Sequence, residues 1–177
     1  MLIDSYERPI RYLRISLTDR CNFSCSYCKP REDGSLKPFS EILRLEELAE
    51  IARAGVKLGI TKIRLTGGEP LIRKNIEYLI GEISQLPGLS EVVLTTNGAL
   101  LTQDRAERLK KAGLNRVNIS LDSLDPQKFR NITGSGNVNQ VLKGIEAAIG
   151  AGLIPVKINM VISRHTSLVD LNDIQSF

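Results

Sequence analysis

Gly59-Ile60-Thr61-Lys62-Ile63-Arg64-Leu65-Thr66 is one copy of a unit that this chain repeats. The other copies are Gly88-Leu89-Ser90-Glu91-Val92-Val93-Leu94-Thr95, Gly113-Leu114-Asn115-Arg116-Val117-Asn118-Ile119-Ser120 and Gly152-Leu153-Ile154-Pro155-Val156-Lys157-Ile158-Asn159. Each opens with glycine and an aliphatic residue and passes two variable positions. It then alternates aliphatic with mostly polar residues. A glycine there suits the position just past a helix, where positive φ is needed. The alternation is a strand signal.

Amphipathic stripes lie around and between the copies. Leu45, Leu48, Ile51, Ala52 and Leu58 mark one helix ahead of Gly59, and Ile72, Ile76, Leu79, Ile80, Ile83 and Leu86 mark a second, ended by Pro87-Gly88. Thr102 suits the N-cap of a helix over residues 103–112, with Asp104 early and Lys110-Lys111 late, as the helix dipole prefers. Val138, Val141, Leu142, Ile145, Ala148 and Ile149 mark another, and Asp125-Pro126 reads as a cap with proline at a first helical position. With residues 12–18 as a first strand, the order is β-α-β-α-β-α-β-α-β. That order predicts an α/β fold with a parallel sheet and right-handed crossovers. An open doubly wound sheet and a partial (βα) barrel both satisfy it.

Period two places Arg64 and Thr66, Val93 and Thr95, Asn118 and Ser120, and Lys157 and Asn159 on one sheet face. Arg14, Ser16 and Thr18 supply the same face of the first strand. Their neighbours Ile63, Leu65, Val117, Ile119, Val156 and Ile158 are predicted to meet the helices. Polar groups on an otherwise buried face are costly unless paired, so this face implies a ligand cavity at the strands' C-terminal ends.

The chain's three cysteines fall together, in Cys21-Asn22-Phe23-Ser24-Cys25-Ser26-Tyr27-Cys28. Three thiolates can hold a four-iron cluster and leave its fourth iron open to a ligand. An odd count without an apolar leader argues against a disulfide framework. A structural zinc site needs a fourth ligand, and the sole histidine, His165, is remote and reads as a solvated loop residue. Zinc stays open as an alternative on spacing alone.

The bulk properties exclude several classes. No apolar run approaches a membrane span, and unpaired thiols point to a reducing, cytoplasmic setting. A net charge of +4 is modest, and acids and bases interleave, as in Arg105-Ala106-Glu107-Arg108, so no nucleic-acid surface is expected.

The C-x3-C-x2-C run, with an aromatic residue before its last cysteine, resembles the radical S-adenosylmethionine (SAM) signature. The resemblance implies a [4Fe–4S] cluster on Cys21, Cys25 and Cys28, with SAM chelated by the open iron and cleaved reductively to a 5′-deoxyadenosyl radical. Thr66-Gly67-Gly68-Glu69-Pro70 follows the second strand, where two glycines let backbone approach a ligand. In the family this loop holds SAM's methionine amino group, which implies Gly67, Gly68 and Glu69. Asn97-Gly98 reads as a turn.

The match extends further. Residues 13–23, 62–71, 94–98, 115–123 and 156–161 resemble the GTP 3′,8-cyclases, the molybdenum cofactor biosynthesis protein A family. This implies a partial TIM-like barrel and abstraction of the GTP ribose 3′ hydrogen. C3′ then bonds to guanine C8, giving (8S)-3′,8-cyclo-7,8-dihydroguanosine 5′-triphosphate. By the same resemblance Tyr27 and Ser120 join the SAM contacts, and Arg14, Arg64, Thr95 and Lys157 contact GTP. A flavodoxin- or ferredoxin-type electron donor and cyclic pyranopterin monophosphate synthase are the implied partners.

The family carries a second three-cysteine cluster in a C-terminal part, and this sequence has no further cysteines. Residues 1–177 are therefore expected to be an incomplete radical SAM core, ending after about five βα units. Leu168, Leu171 and Ile174 give its closing helix an incomplete stripe. The sheet edge beyond the strand at residues 156–162 is left open to association, including a homodimer. The competing expectations are a radical SAM enzyme acting on a peptide or other small molecule, and a non-catalytic iron–sulfur or zinc module.

Overall fold

A computed structural model describes residues 2–28, 36–164 and 166–177. Among these, β1 (Tyr12–Ser16), β2 (Lys62–Thr66), β3 (Glu91–Thr96), β4 (Arg116–Ser120) and β5 (Lys157–Asn159) form one sheet in the order β1-β2-β3-β4-β5. Every pairing is parallel. Sequential order separates the two folds that periodicity left open. A doubly wound sheet reverses its strand order at a switch point, whereas a barrel advances one strand at a time.

The connecting helices are α1 (Leu45–Lys57), α2 (Ile76–Ser84), α3 (Gln103–Lys111), α4 (Pro126–Thr133), α5 (Val138–Gly150) and α6 (Leu168–Ser176). Of the glycines that open the repeats, Gly59, Gly113 and Gly152 directly follow the C-caps of α1, α3 and α5, whereas Gly88 lies three residues beyond that of α2. Gly59, Gly88, Gly113 and Gly152 all have positive φ, between 73° and 106°. Thr102 caps α3 by accepting from Arg105 N, and Asp125 caps α4 by accepting from Lys128 N at 2.7 Å.

One apolar cluster joins Ile63, Leu65, Val117 and Ile119 to the buried faces of the helices. Val93 is fully buried yet lies outside that cluster, on the opposite face, in register with Arg64 and Arg116. The repeats pair at equal heights except between β3 and β4. Thr95 pairs with Asn118 rather than with Ser120, and Asn118 pairs with Lys157. Between β3 and β4 the register thus slips by two residues relative to the sequence repeat. This stagger keeps side chains on their own face while tilting the strands, as barrel curvature requires.

Several sequence expectations are corrected. β1 ends at Ser16 rather than residue 18, and β5 covers only Lys157–Asn159 of the expected 156–162. Val161 N bonds instead to Asp122 Oδ1, so that segment leaves the ladder. The second stripe begins as a 3-10 turn (Pro70–Ile72) before α2. Ile51, Leu58 and Ile149 are exposed rather than core. The helix that the Asp125-Pro126 cap announced is separate from the one at Val138: α4 and α5 both lie between β4 and β5, where the alternating order allowed for one helix. His165 lies outside the described residues.

Candidate active site

The loops leaving the C-terminal ends of β1, β2, β3 and β4 meet around one cavity of about 210 Å³. Cys21, Cys25 and Cys28 line it, and all three thiols are free. The cysteine loop is seated on the end of α4. Ser24 N and Ser26 N donate to Thr133 O and Ile132 O at 2.9 and 2.8 Å, and Phe23 packs edge-on to buried Phe129. Cys28 N closes a turn onto Cys25 O at 2.9 Å. Desolvation pushes the thiols of Cys21 and Cys25 above their ordinary range, with further contributions from neighbouring sulfurs and carboxylates.

The loop after β2 is pinned to the chain entering the cysteine loop. Gly68 N donates to Thr18 O at 2.7 Å, and Glu69 N to Arg20 O at 2.8 Å. A Cβ on Gly68 would lie 2.2 Å from Arg20 O, so this glycine is demanded by backbone packing within the protein. With those two N–H groups committed, the carbonyl oxygens of Gly67 and Gly68 are groups the loop can offer a ligand, and they suit an ammonium.

Glu69 is buried within the lining. Oε1 accepts from Leu71 N at 2.9 Å and Thr96 Oγ1 at 2.7 Å, and Oε2 accepts from Asn97 N at 2.8 Å. Its carboxylate is therefore engaged in tying the β2 loop to the β3 loop. Burial raises its pKa, and those three hydrogen bonds oppose the rise.

Tyr27, Ser120 and Thr95 also line the cavity, and Thr95 Oγ1 is buried with no partner among the described residues. Arg14, Arg64 and Lys157 lie on the polar face below. Arg14 pairs with Arg64 across β1 and β2, and Thr95, Asn118 and Lys157 form a row above them. The Arg64 guanidinium sits over Tyr12, 5.3 Å from the ring centroid, and its Nε is buried and orphaned.

The sequence reading missed Asn97, Asp122 and Arg116. Asn97 passed as a turn residue, Asp122 lay just past the repeat, and Arg116 occupied a variable position within it. Arg116 is buried, bonded to Glu91 Oε1 at 2.6 Å and Asn118 Oδ1 at 2.8 Å. A second cavity, of about 480 Å³, adjoins the first and shares Tyr27 and Asp122 as a wall.

Parallel βα units wound in one direction, with a thiol-bearing loop at the strand ends, define the core of a partial barrel whose candidate site lies at the C-terminal ends of its strands. The pattern describing the Radical SAM superfamily matches residues 15–177, and the chain belongs to that superfamily. It is 54% identical over 161 residues to the GTP 3′,8-cyclase of Moorella thermoacetica, covering 91% of this chain and 50% of that protein. It is 48% identical to the GTP 3′,8-cyclase of Petrotoga mobilis, covering 99% of this chain and 53% of that one. The chain thus spans about half the length of the curated relatives it matches.

Among solved structures, Streptococcus suis SuiB bound to S-adenosylmethionine superposes with a TM-score of 0.76 at 23% identity, covering 94% of this chain and 37% of that one. The FeFe-hydrogenase maturase HydG from Carboxydothermus hydrogenoformans superposes with a TM-score of 0.74 at 28% identity, covering 92% and 39%.

Family membership implies a [4Fe–4S] cluster and SAM. The residues fit. Three free thiols share one cavity, yet among the described residues no three His, Cys, Asp or Glu converge on a single-ion position. A cluster takes each thiolate on a different iron, so thiols spread around a cavity suit it better than one zinc ion.

Proposed function

We propose that these residues form the SAM-cleaving core of a GTP 3′,8-cyclase of molybdenum cofactor biosynthesis. The observation that carries the reading is the convergence of three free thiols, the Gly67-Gly68 loop, Thr95 and Ser120 on one cavity, above a face bearing Arg14, Arg64 and Lys157. The match of 54% to a protein of that name supports it.

Cys21, Cys25 and Cys28 would hold the cluster. When bound, the cluster and SAM supply the carbon-centred radical that rearranges GTP at ribose C3′ and guanine C8. The loop carbonyls at Gly67 and Gly68 would accept from SAM's ammonium, and the Ser120 hydroxyl would donate to its carboxylate or ribose side. Tyr27 contributes backbone beside the third cysteine. Glu69 acts by holding the SAM-facing loops in place.

Arg14 and Arg64 offer planar forks and Lys157 a point charge, a combination suited to a triphosphate. Thr95, with its orphaned hydroxyl, would hydrogen-bond the nucleotide. A second, C-terminal cluster domain would complete the substrate site. A flavodoxin- or ferredoxin-type donor would supply the electron, and cyclic pyranopterin monophosphate synthase would take the product. Free thiols suit a reducing cytoplasmic compartment. Among the described residues no helix is long and apolar enough to cross a membrane.

The test is anaerobic iron–sulfide reconstitution, then dithionite-driven SAM cleavage with 5′-deoxyadenosine quantified with and without GTP. GTP-stimulated cleavage is expected. Cleavage indifferent to GTP but stimulated by another substrate would overturn the GTP assignment. Failure to take up iron would overturn the cluster assignment.

A further inference from the structure

We propose that Asn97 is a positioning residue whose side-chain N–H donates to Cys21 Sγ and raises the reduction potential of the cluster held there, an inference that rests on the cluster reading above. Asn97 stands directly after β3, and its Nδ2 lies 3.9 Å from Cys21 Sγ and 2.8 Å from Asn22 Oδ1. A primary amide carries two N–H bonds, one for each of these acceptors.

The orientation of this amide is held from three sides. Its Oδ1 accepts from Ala99 N at 3.1 Å, so the NH2 group must face the cysteine loop. Its backbone N–H is fixed by Glu69 Oε2 at 2.8 Å. Glu69 in turn grips Thr96 Oγ1, and that hydroxyl accepts from Gly98 N at 3.0 Å. A buried carboxylate thus sets the turn that aims one amide at one sulfur. Cys21 Sγ also accepts from Phe23 N at 3.4 Å, so it receives two N–H groups from different parts of the chain.

Hydrogen bonds to cluster sulfurs shift potential because reduction adds one negative charge, which an N–H dipole stabilises more in the reduced state. Removing the Asn97 donor therefore lowers the midpoint. A tenfold fall in the reduced-to-oxidised ratio at the poise where the parent is half reduced corresponds to about 59 mV for one electron.

The experiment is an anaerobic redox titration without SAM, followed by EPR of the reduced cluster, on the parent chain, Asn97→Asp and Asn97→Ala. Iron per chain and far-UV circular dichroism are recorded alongside. Asn97→Asp keeps the acceptor for Ala99 and removes the donor. Asn97→Ala removes the donor without adding charge. Both variants are expected to bind parent-like iron and to show a reduced-to-oxidised ratio about tenfold lower at the parent's midpoint. Equal midpoints in the parent and Asn97→Ala would overturn the inference, as would a midpoint that falls only in Asn97→Asp. Loss of iron from both variants with intact circular dichroism would also overturn it, assigning Asn97 to loop construction instead. Absence of iron from the parent would fail the cluster reading itself, a distinguishable result.

Discussion

Tyr27 Oη donates to Asp122 Oδ2 at 2.6 Å, across 95 residues of sequence. Asp122 Oδ1 accepts from Val161 N at 2.8 Å, so one buried carboxylate ties the cysteine loop, the end of β4 and the segment after β5 together. The phenol is pushed well above its ordinary pKa, first by burial and then by its hydrogen bond to Asp122. Tyr27 thus joins the wall of the two cavities as a neutral donor.

Replacing Tyr27 with Phe leaves Asp122 Oδ2 without that donor. Because Tyr27 is about half exposed, the expected cost is only about 1 kcal/mol by urea denaturation at pH 7. The pH dependence is sharper evidence. A folded pKa raised above the unfolded value of about 10 stabilises fully below pH 10 and is lost as pH rises beyond it. The parent is expected to lose stability relative to Tyr27→Phe between pH 10 and 11, and parallel curves would refute the strut.

Glu69→Gln retains one oxygen but turns an NH2 group toward a backbone or hydroxyl donor. The expected loss is roughly 1–3 kcal/mol, the cost of leaving a buried donor unmet. Since burial raises the folded pKa of Glu69, its contribution is fullest below the unfolded value near 4.5 and declines as pH rises through the folded value. The difference between parent and Gln variant is therefore expected to shrink from pH 4 to pH 7. A variant of unchanged stability would make Glu69 a ligand group rather than a tie between loops.

Gly68→Ala sets a methyl against backbone rather than against a flexible side chain, at 2.2 Å from Arg20 O. The expected cost is roughly 1–3 kcal/mol, with markedly less iron bound after reconstitution, because the displaced segment leads straight into Cys21. Gly81 in α2 is the control. A Cβ there would meet only Ala112 O, at 4.0 Å, and Gly81→Ala is expected to stabilise by about 0.5–1 kcal/mol. Equal iron uptake by the two variants would contradict this account.

At the last helix, Asp170 pairs with Lys128 of α4 and accepts from Ser167 N at 2.7 Å. The Lys128 ammonium is the leading reason its pKa falls to about 2, followed by the Ser167 hydrogen bonds. A lowered carboxylate pKa contributes stability above the unfolded value near 3.8 and loses it as pH falls toward 2. Asp170→Asn is expected to speed hydrogen exchange of the α6 amides at pH 7 and leave β2 and β3 unchanged. Uniform acceleration throughout the chain would show that α6 is not clasped separately.

The sequence by itself determined the local structure and the inventory of chemistry. Alternation marks a strand because side chains fall on opposite faces every second residue, and glycine marks a helix end because positive φ strains other residues. Those signals are carried within a few neighbours, so Gly59, Gly88, Gly113 and Gly152 and the Cys21, Cys25 and Cys28 cluster were legible directly. Tertiary structure alone decided the sequential strand order, the two-residue slip that pairs Thr95 with Asn118, and the shortness of β5. It alone showed that Glu69 grips Asn97 and that Tyr27 reaches Asp122. Such pairs join residues tens of positions apart, where no periodicity links them. Only the packing of parallel βα units, which gathers every C-terminal strand end on one side, brings these side chains within hydrogen-bond reach.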